Sequence, residues 1–147
     1  MKPSSSTAGV SPIRYTGGCL CGTLRYEAHG APLAQGCCFC VDCRKASGSG
    51  FIPFLLFPAS AVRFAGATRR SIARAIGGGD AVRNHCAACG SLVFGGIVGE
   101  DSEHTVYGGS LDEPALFRPT LAIFMRDKPD WVIVPRGLQV FETLPGR

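Results

Sequence analysis

Eight cysteines fall into three short groups: Cys19-Leu20-Cys21, then Cys37-Cys38-Phe39-Cys40-Val41-Asp42-Cys43, then Cys86-Ala87-Ala88-Cys89. A C-x-C or C-x-x-C followed by glycine lets the chain turn back so that both sulfurs face one ion, and Gly22 and Gly90 occupy those places. Two such pairs close one tetrahedral site. Cys19, Cys21, Cys86 and Cys89 are therefore expected to hold a structural zinc that staples the start of the chain to its middle. The central group offers Cys38, Cys40 and Cys43, and no isolated cysteine is left elsewhere to complete a second set of four. Three protein ligands leave a coordination position free, as catalytic zinc sites do. Vicinal thiols seldom share an ion, so Cys37 is expected to be a spectator, or else a fourth ligand that closes the site. A closed structural site completed by Cys37 or a histidine is the alternative for this group. A thioredoxin-like pair would need a βαβ setting that the pattern lacks.

The residues after the triplet, Arg44-Lys45-Ala46-Ser47-Gly48-Ser49, supply hydroxyl and N–H donors that are expected to bond the sulfurs. Arg44 and Lys45 would offset thiolate charge or meet a carboxylate on a ligand, unless they form an ordinary solvated loop. His29, His85 and His104 are not spaced as ligand pairs, and only His85 adjoins a cysteine of the set. The acidic residues form no catalytic pair, and Asp112-Glu113 before Pro114 reads as a turn. Gly77-Gly78-Gly79 lacks the G-K-[ST] of a phosphate loop and is expected to turn a hairpin.

These groups need a frame of turns and strands to bring them together. The 147 residues are 46% hydrophobic and 18% charged, the balance of one folded domain, and 20 glycines and 10 prolines punctuate short apolar runs. Strands are expected at Thr23–Ala28, Phe51–Phe57, Ala61–Phe64, Arg70–Ile76, Leu92–Val98, Thr105–Gly109, Leu121–Met125 and Trp131–Val134. Only Cys40–Ser47 looks briefly helical, so the fold class is all-β. Residues 1–12 and 143–147 are expected as tails around one zinc-binding domain over 13–142. Fifteen Lys and Arg against eleven Asp and Glu give +4 without a basic stripe, which argues against a nucleic-acid partner. No apolar run is long enough for a membrane span, and the start lacks the apolar core of a secretory signal, so a cytoplasmic protein is expected. Eight cysteines in that setting point to metal ligands rather than disulfides.

Taken in order, the motifs resemble the glutathione-dependent formaldehyde-activating enzyme (GFA, or CENP-V/GFA) family. They are Gly17-Gly18-Cys19-Leu20-Cys21-Gly22 with Leu24-Arg25-Tyr26, Cys38 through Ser49, Cys86-Ala87-Ala88-Cys89-Gly90-Ser91, Gly108-Gly109-Ser110-Leu111-Asp112 and Lys128-Pro129-Asp130-Trp131. The resemblance spans about Ile13 to Glu142. It implies a β-tent fold with two zinc ions, one structural on Cys19, Cys21, Cys86 and Cys89 and one catalytic on Cys38, Cys40 and Cys43. It also implies condensation of glutathione with formaldehyde to S-(hydroxymethyl)glutathione, a carbon-sulfur lyase reaction. Phe39 and Ala122 stand where the family often has histidine, and both are expected to change the pocket lining.

The function expected is therefore that of a zinc-dependent enzyme that joins a small thiol, such as glutathione, to an aldehyde, or runs the reverse. The competing expectation is a non-catalytic zinc module that holds a protein partner.

Overall fold

The structure, a computed structural model, describes residues 12–76 and 78–146. Eleven strands run in chain order as β1 (Arg14–Gly18), β2 (Arg25–His29), β3 (Ala34–Cys38), β4 (Ile52–Pro58), β5 (Val62–Ala65), β6 (Thr68–Arg74), β7 (Asp80–Cys86), β8 (Leu92–Gly95), β9 (Glu103–Tyr107), β10 (Leu121–Ile123) and β11 (Gln139–Val140). One short helix, α1 (Val41–Ser47), follows β3. The chain is thus mostly β, as expected. It forms a three-stranded sheet in the order β1-β2-β5 and an eight-stranded sheet in the order β11-β10-β3-β4-β9-β8-β7-β6. No helix among the described residues is long and apolar enough to cross a membrane.

Alternation decides which side chains go inside. On β1 and β2, Tyr15, Tyr26 and Ala28 are buried while the intervening residues face outward. From the larger sheet come Leu55, Phe57, Val93, Phe94 and Val106, and together they form the main core. Burying each of the larger side chains contributes about 1.5–3 kcal/mol. Phe64 of β5 stacks on Phe94 at a ring separation of 3.7 Å, which locks the small sheet onto the large one. His104 lies within this core, its Nδ1 3.1 Å from the Gly95 carbonyl, and is a satisfied core histidine. A second, apolar layer of Cys37, Phe39, Ala122 and Val132 lies behind β3. Gly36 has no room for a side chain, because a Cβ there would collide with the Leu121 carbonyl of β10.

Several expectations need correction. Trp131–Val134 is not a strand. Pro129 and Pro135 flank it, the Val132 amide turns back to the Pro129 carbonyl at 3.1 Å, and Val132 alone is buried while Trp131 and Ile133 are exposed. The strands β1, β3, β7 and β11 were not expected. The β6–β7 hairpin turns through Ala75–Gly79 as the glycine run suggests, though Gly77 itself lies outside the described residues. So does the expected tail over residues 1–12, apart from Pro12.

Two carboxylates tie strands together at the surface. Asp112 accepts from Arg25 and from the Thr16 hydroxyl at 2.8 Å, and these donors hold it at about 2, below its ordinary 3.8. Glu27 accepts from Arg14 and His29 and is likewise held at about 2, below 4.5. A carboxylate with a depressed folded-state pKa stabilises fully above its unfolded value and loses that contribution as pH falls through the folded one. Stability is therefore expected to decline from pH 4.5 down towards about 2. Asp112→Asn should make acid unfolding curves shallower over that window, and an unchanged slope would count against the pairing.

Candidate metal centres

The first cysteine cluster forms where two tight turns face each other. Cys19 follows β1 and Cys86 ends β7, and the turns of Cys21 and Cys89 close through Gly22 at φ +86° and Gly90 at φ +80°. These values lie in the left-handed region that glycine enters without penalty, as the sequence pattern requires. The Gly90 amide donates to the Cys86 carbonyl at 2.9 Å, and the Leu20 amide reaches across to the Ser91 hydroxyl at 3.0 Å. All four sulfurs lie within 4.8 Å of one another. Cys21 is 3.6 Å from Cys19 and 3.7 Å from Cys86. A tetrahedral ion with bonds near 2.3 Å sets its sulfurs about 3.8 Å apart, so this set fits such an ion.

Donors surround these sulfurs. Amides of Leu24, Ala88 and Cys89 point at Cys19 and Cys86 from 3.2–3.4 Å, and the Thr23 hydroxyl is 3.1 Å from Cys21 and 3.3 Å from Cys86. The Ser91 hydroxyl and amide bring Cys89 down to about 5. Burial works to raise Cys19, but the Leu24 amide and the neighbouring thiols outweigh it and bring that thiol to about 7. These two thiols are eased towards the thiolate form that a cation binds, while at Cys21 the Thr23 donors are outweighed by the Cys19 thiol, burial and Cys89, and that thiol is raised.

The second cluster is built at a strand-to-helix junction. Cys38 ends β3, Cys40 is the N-cap of α1, and Cys43 lies in its first turn, donating its amide to the Cys40 sulfur at 3.3 Å. Gly48, in the left-handed conformation, stops the helix after seven residues. The three sulfurs lie within 4.8 Å of one another, packed against Phe124, Phe54 and Ile123. Phe124 is the single non-glycine among the described residues with positive φ, at 58°, a conformation that costs about 1–2 kcal/mol and is held here by the surrounding contacts. Hydrogen bonds from the Cys38 and Cys43 thiols pull Cys40 down to about 2, while the same sharing drives Cys38 far upward. The Cys38 thiol lowers Cys43, but the Cys40 charge and burial outweigh it and leave Cys43 at about 11. Left to themselves, three crowded sulfurs carry one negative charge, and a divalent cation is what allows all three to ionise.

Cys38 and Cys43 open onto a cleft of about 390 Å³, within the size range of small-molecule sites. Its walls include Ile52, Phe54, Tyr107 and Arg83, with Asp80, Asp101 and Glu103 also on its lining. Burial pushes the Tyr107 phenol up to about 12, so it stays protonated and able to donate. Arg83 was missed by the sequence reading. It lies 40 residues beyond Cys43, on a strand that was not expected, yet its Nη2 is 3.9 Å from the Cys43 sulfur.

Other expectations fare differently. Cys37 alternates to the opposite side of β3, is fully buried, and belongs to the apolar layer, where burial raises its thiol to about 11. It joins neither cluster. His85 is not among the grouped ligands either. Ser47 donates to the Cys43 carbonyl at 2.8 Å and so serves the helix, not the sulfurs. Phe39 and Ala122 line no part of the cleft at Cys38 and Cys43. Both are fully buried behind it, with Phe39 packed on Phe51 at 5.1 Å.

Comparison with curated proteins finds no match. The family model described as glutathione-dependent formaldehyde-activating enzyme matches residues 14–127, which include both cysteine clusters, Arg83 and Tyr107. Matched over most of its length, the chain belongs to the GFA family.

Proposed function

We propose that the protein is a zinc-dependent enzyme that acts at a carbon-sulfur bond, adding a thiol such as glutathione to an aldehyde such as formaldehyde, or releasing them. The observation that carries this reading is a cluster of three thiols with no fourth ligand among the described residues, two of which, Cys38 and Cys43, open onto a cleft with a cation and a phenol in its wall. In this reading Cys38, Cys40 and Cys43 hold the catalytic zinc, while Cys19, Cys21, Cys86 and Cys89 hold a structural one. Bound zinc supplies an electrophilic position that polarises a carbonyl or keeps a thiol ionised at neutral pH.

The remaining work falls to the chain. The overall change is balanced: the thiol sulfur forms a bond to the carbonyl carbon, the C=O π pair moves to oxygen, and that oxygen ends with the proton the thiol gave up. Phe54, Phe124 and Ile123 keep one side of the sulfurs dry, which strengthens every charge interaction there. Tyr107, protonated across the working range, donates a hydrogen bond towards oxygen that is gaining charge. The proposal places this reaction in the cytoplasm, with a small-molecule thiol and aldehyde as partners.

Elemental analysis of protein purified without chelator is expected to give two zincs per chain. Cys40→Ser should lose one of them, keep its far-ultraviolet spectrum and melting cooperativity, and fall to background in forming S-(hydroxymethyl)glutathione. Retention of full turnover by Cys40→Ser would overturn the reading. Two zincs whose coordination ignores every added thiol would instead mark a non-catalytic binding module.

Cys89→Ser should behave differently. Losing the zinc at the two facing turns unties segments far apart in the chain, so a drop of about 4 kcal/mol or more is expected in denaturant unfolding. A drop within the range of ordinary surface changes, below about 0.5 kcal/mol, would mean that this cluster is not structural.

A further inference from the structure

Arg83 is a half-buried cation that pairs with no carboxylate. Its Nε is shut off from solvent and has no hydrogen-bond partner, and none of the ion pairs among the described residues involves it. A guanidinium partly withdrawn from water, with one nitrogen sealed off, costs stability unless a negative charge faces it. The Cys43 sulfur, 3.9 Å from Nη2, is placed to supply one. Arg44 and Lys45, the cations nearest the triplet in sequence, make no hydrogen bond to a sulfur, so charge compensation at this cluster falls to a residue from β7.

The stoichiometry of the cluster shows why that matters. Three thiolates on a divalent ion leave one net negative charge. A further anionic ligand, such as a substrate thiolate, would have to approach against that charge in a half-dry cleft, where Coulomb repulsion is several times stronger than in water. One guanidinium at the edge of the ligand set brings the total to zero.

We propose that Arg83 is a positioning residue that neutralises the three-cysteine centre, strengthening its hold on the metal and admitting an anionic sulfur as the fourth ligand. This rests on the reading that Cys38, Cys40 and Cys43 bind a divalent metal. It assigns Arg83 an effect through charge and not through filling space, so a lysine should largely replace it and a neutral side chain should not.

The test uses the zinc-loaded full chain of the wild type, Arg83→Gln and Arg83→Lys. Zinc is withdrawn by a competing chelator, and each site's affinity is read from the release curve. Loss of a residue supporting a metal ligand lowers affinity by about 10–100-fold. Arg83→Gln is expected to weaken one zinc by that factor and leave the other unchanged, while Arg83→Lys stays within about threefold of wild type. In X-ray absorption at the zinc edge, added glutathione should add sulfur to the wild-type shell and to that of Arg83→Lys, but not to that of Arg83→Gln.

Unchanged release from Arg83→Gln overturns the role of Arg83 and leaves the enzyme reading standing. A lysine variant as weak as the glutamine one also overturns it, since charge alone would then not be the cause. Should Arg83→Gln fail to fold, Arg83→Met supplies the neutral side chain and is judged against Arg83→Lys by the same criteria. A wild type holding a single zinc overturns both readings. Two zincs with no gain of sulfur in the wild type overturn the enzyme reading and the fourth-ligand part of this one, and the release curves then decide whether Arg83 supports the metal.

Discussion

Four thiols within 4.8 Å of one another join Cys21 to Cys86, 65 residues apart. In the chain-entropy picture, closing a loop of that length in the unfolded state by a covalent link shifts stability by about 4 kcal/mol. A shared ion does the same work where a disulfide would be reduced, but only if the sulfurs arrive already turned towards each other. The two glycine-closed turns, the amides aimed at Cys19 and Cys86, and the Leu20 to Ser91 hydrogen bond accomplish that turning. The small sheet, which hangs from β1 just before Cys19, depends on this junction and on the Phe64–Phe94 stack for its place.

Strand β7 links the two clusters. It ends in Cys86 of the first and carries Arg83, which reaches Cys43 of the second, roughly 10 Å apart along an extended chain. A register irregularity between Asn84 and His85 falls between them, a feature that re-aims side chains along a strand. Asn84 holds the bend from inside, donating to the carbonyls of Phe94 and Gly96 at 3.3 and 2.8 Å. A buried amide with both donors used is costly to disturb, so the spacing of the two clusters is set by a rigid element and not by a loop. Beyond β7 only β6 remains, exposed along its whole length.

The grouping of the metal-ligand candidates could be read from the chain because sulfur spacing and glycine position are local. Cys19, Cys21, Cys86 and Cys89 assemble as their pattern demands, and so do Cys38, Cys40 and Cys43. The all-β class followed from turn residues between short apolar runs. What escaped was set by partners far away in sequence. Strand β3 reads Ala-Gln-Gly-Cys-Cys, without a β-branched residue, and is a strand because β4 and β10 pair with it on either side. Strand β7 is polar and became one only as the second arm of a hairpin. Conversely, Trp131–Val134 has the apolar run of a strand without a neighbour to pair with. Arg83 had no sequence signal of its own, since a lone arginine three residues before a cysteine points to no particular role.

The positions at which this chain departs from its family's habit bear on chemistry less directly than their place in the motif suggests. Phe39 sits between two cysteines of the triplet, yet the alternation that turns Cys38 and Cys40 towards the cluster turns Phe39 into the apolar layer with Cys37, Ala122 and Val132. Replacing a polar ring by phenyl at such a place removes a group that would need a buried partner and adds packing against Phe51. Ala122, beside Cys37 in the parallel pairing of β10 with β3, fills the same layer. In the proposed function, selection of a substrate falls instead to residues that do line the cleft, among them Arg83 and Asp80 of β7 and Tyr107 and Glu103 of β9. A cleft with a cation beside the sulfurs and carboxylates elsewhere on its lining suits a thiol that carries both signs of charge better than an uncharged one, because each end finds a complementary field. A peptide-like thiol such as glutathione meets that condition by its own structure.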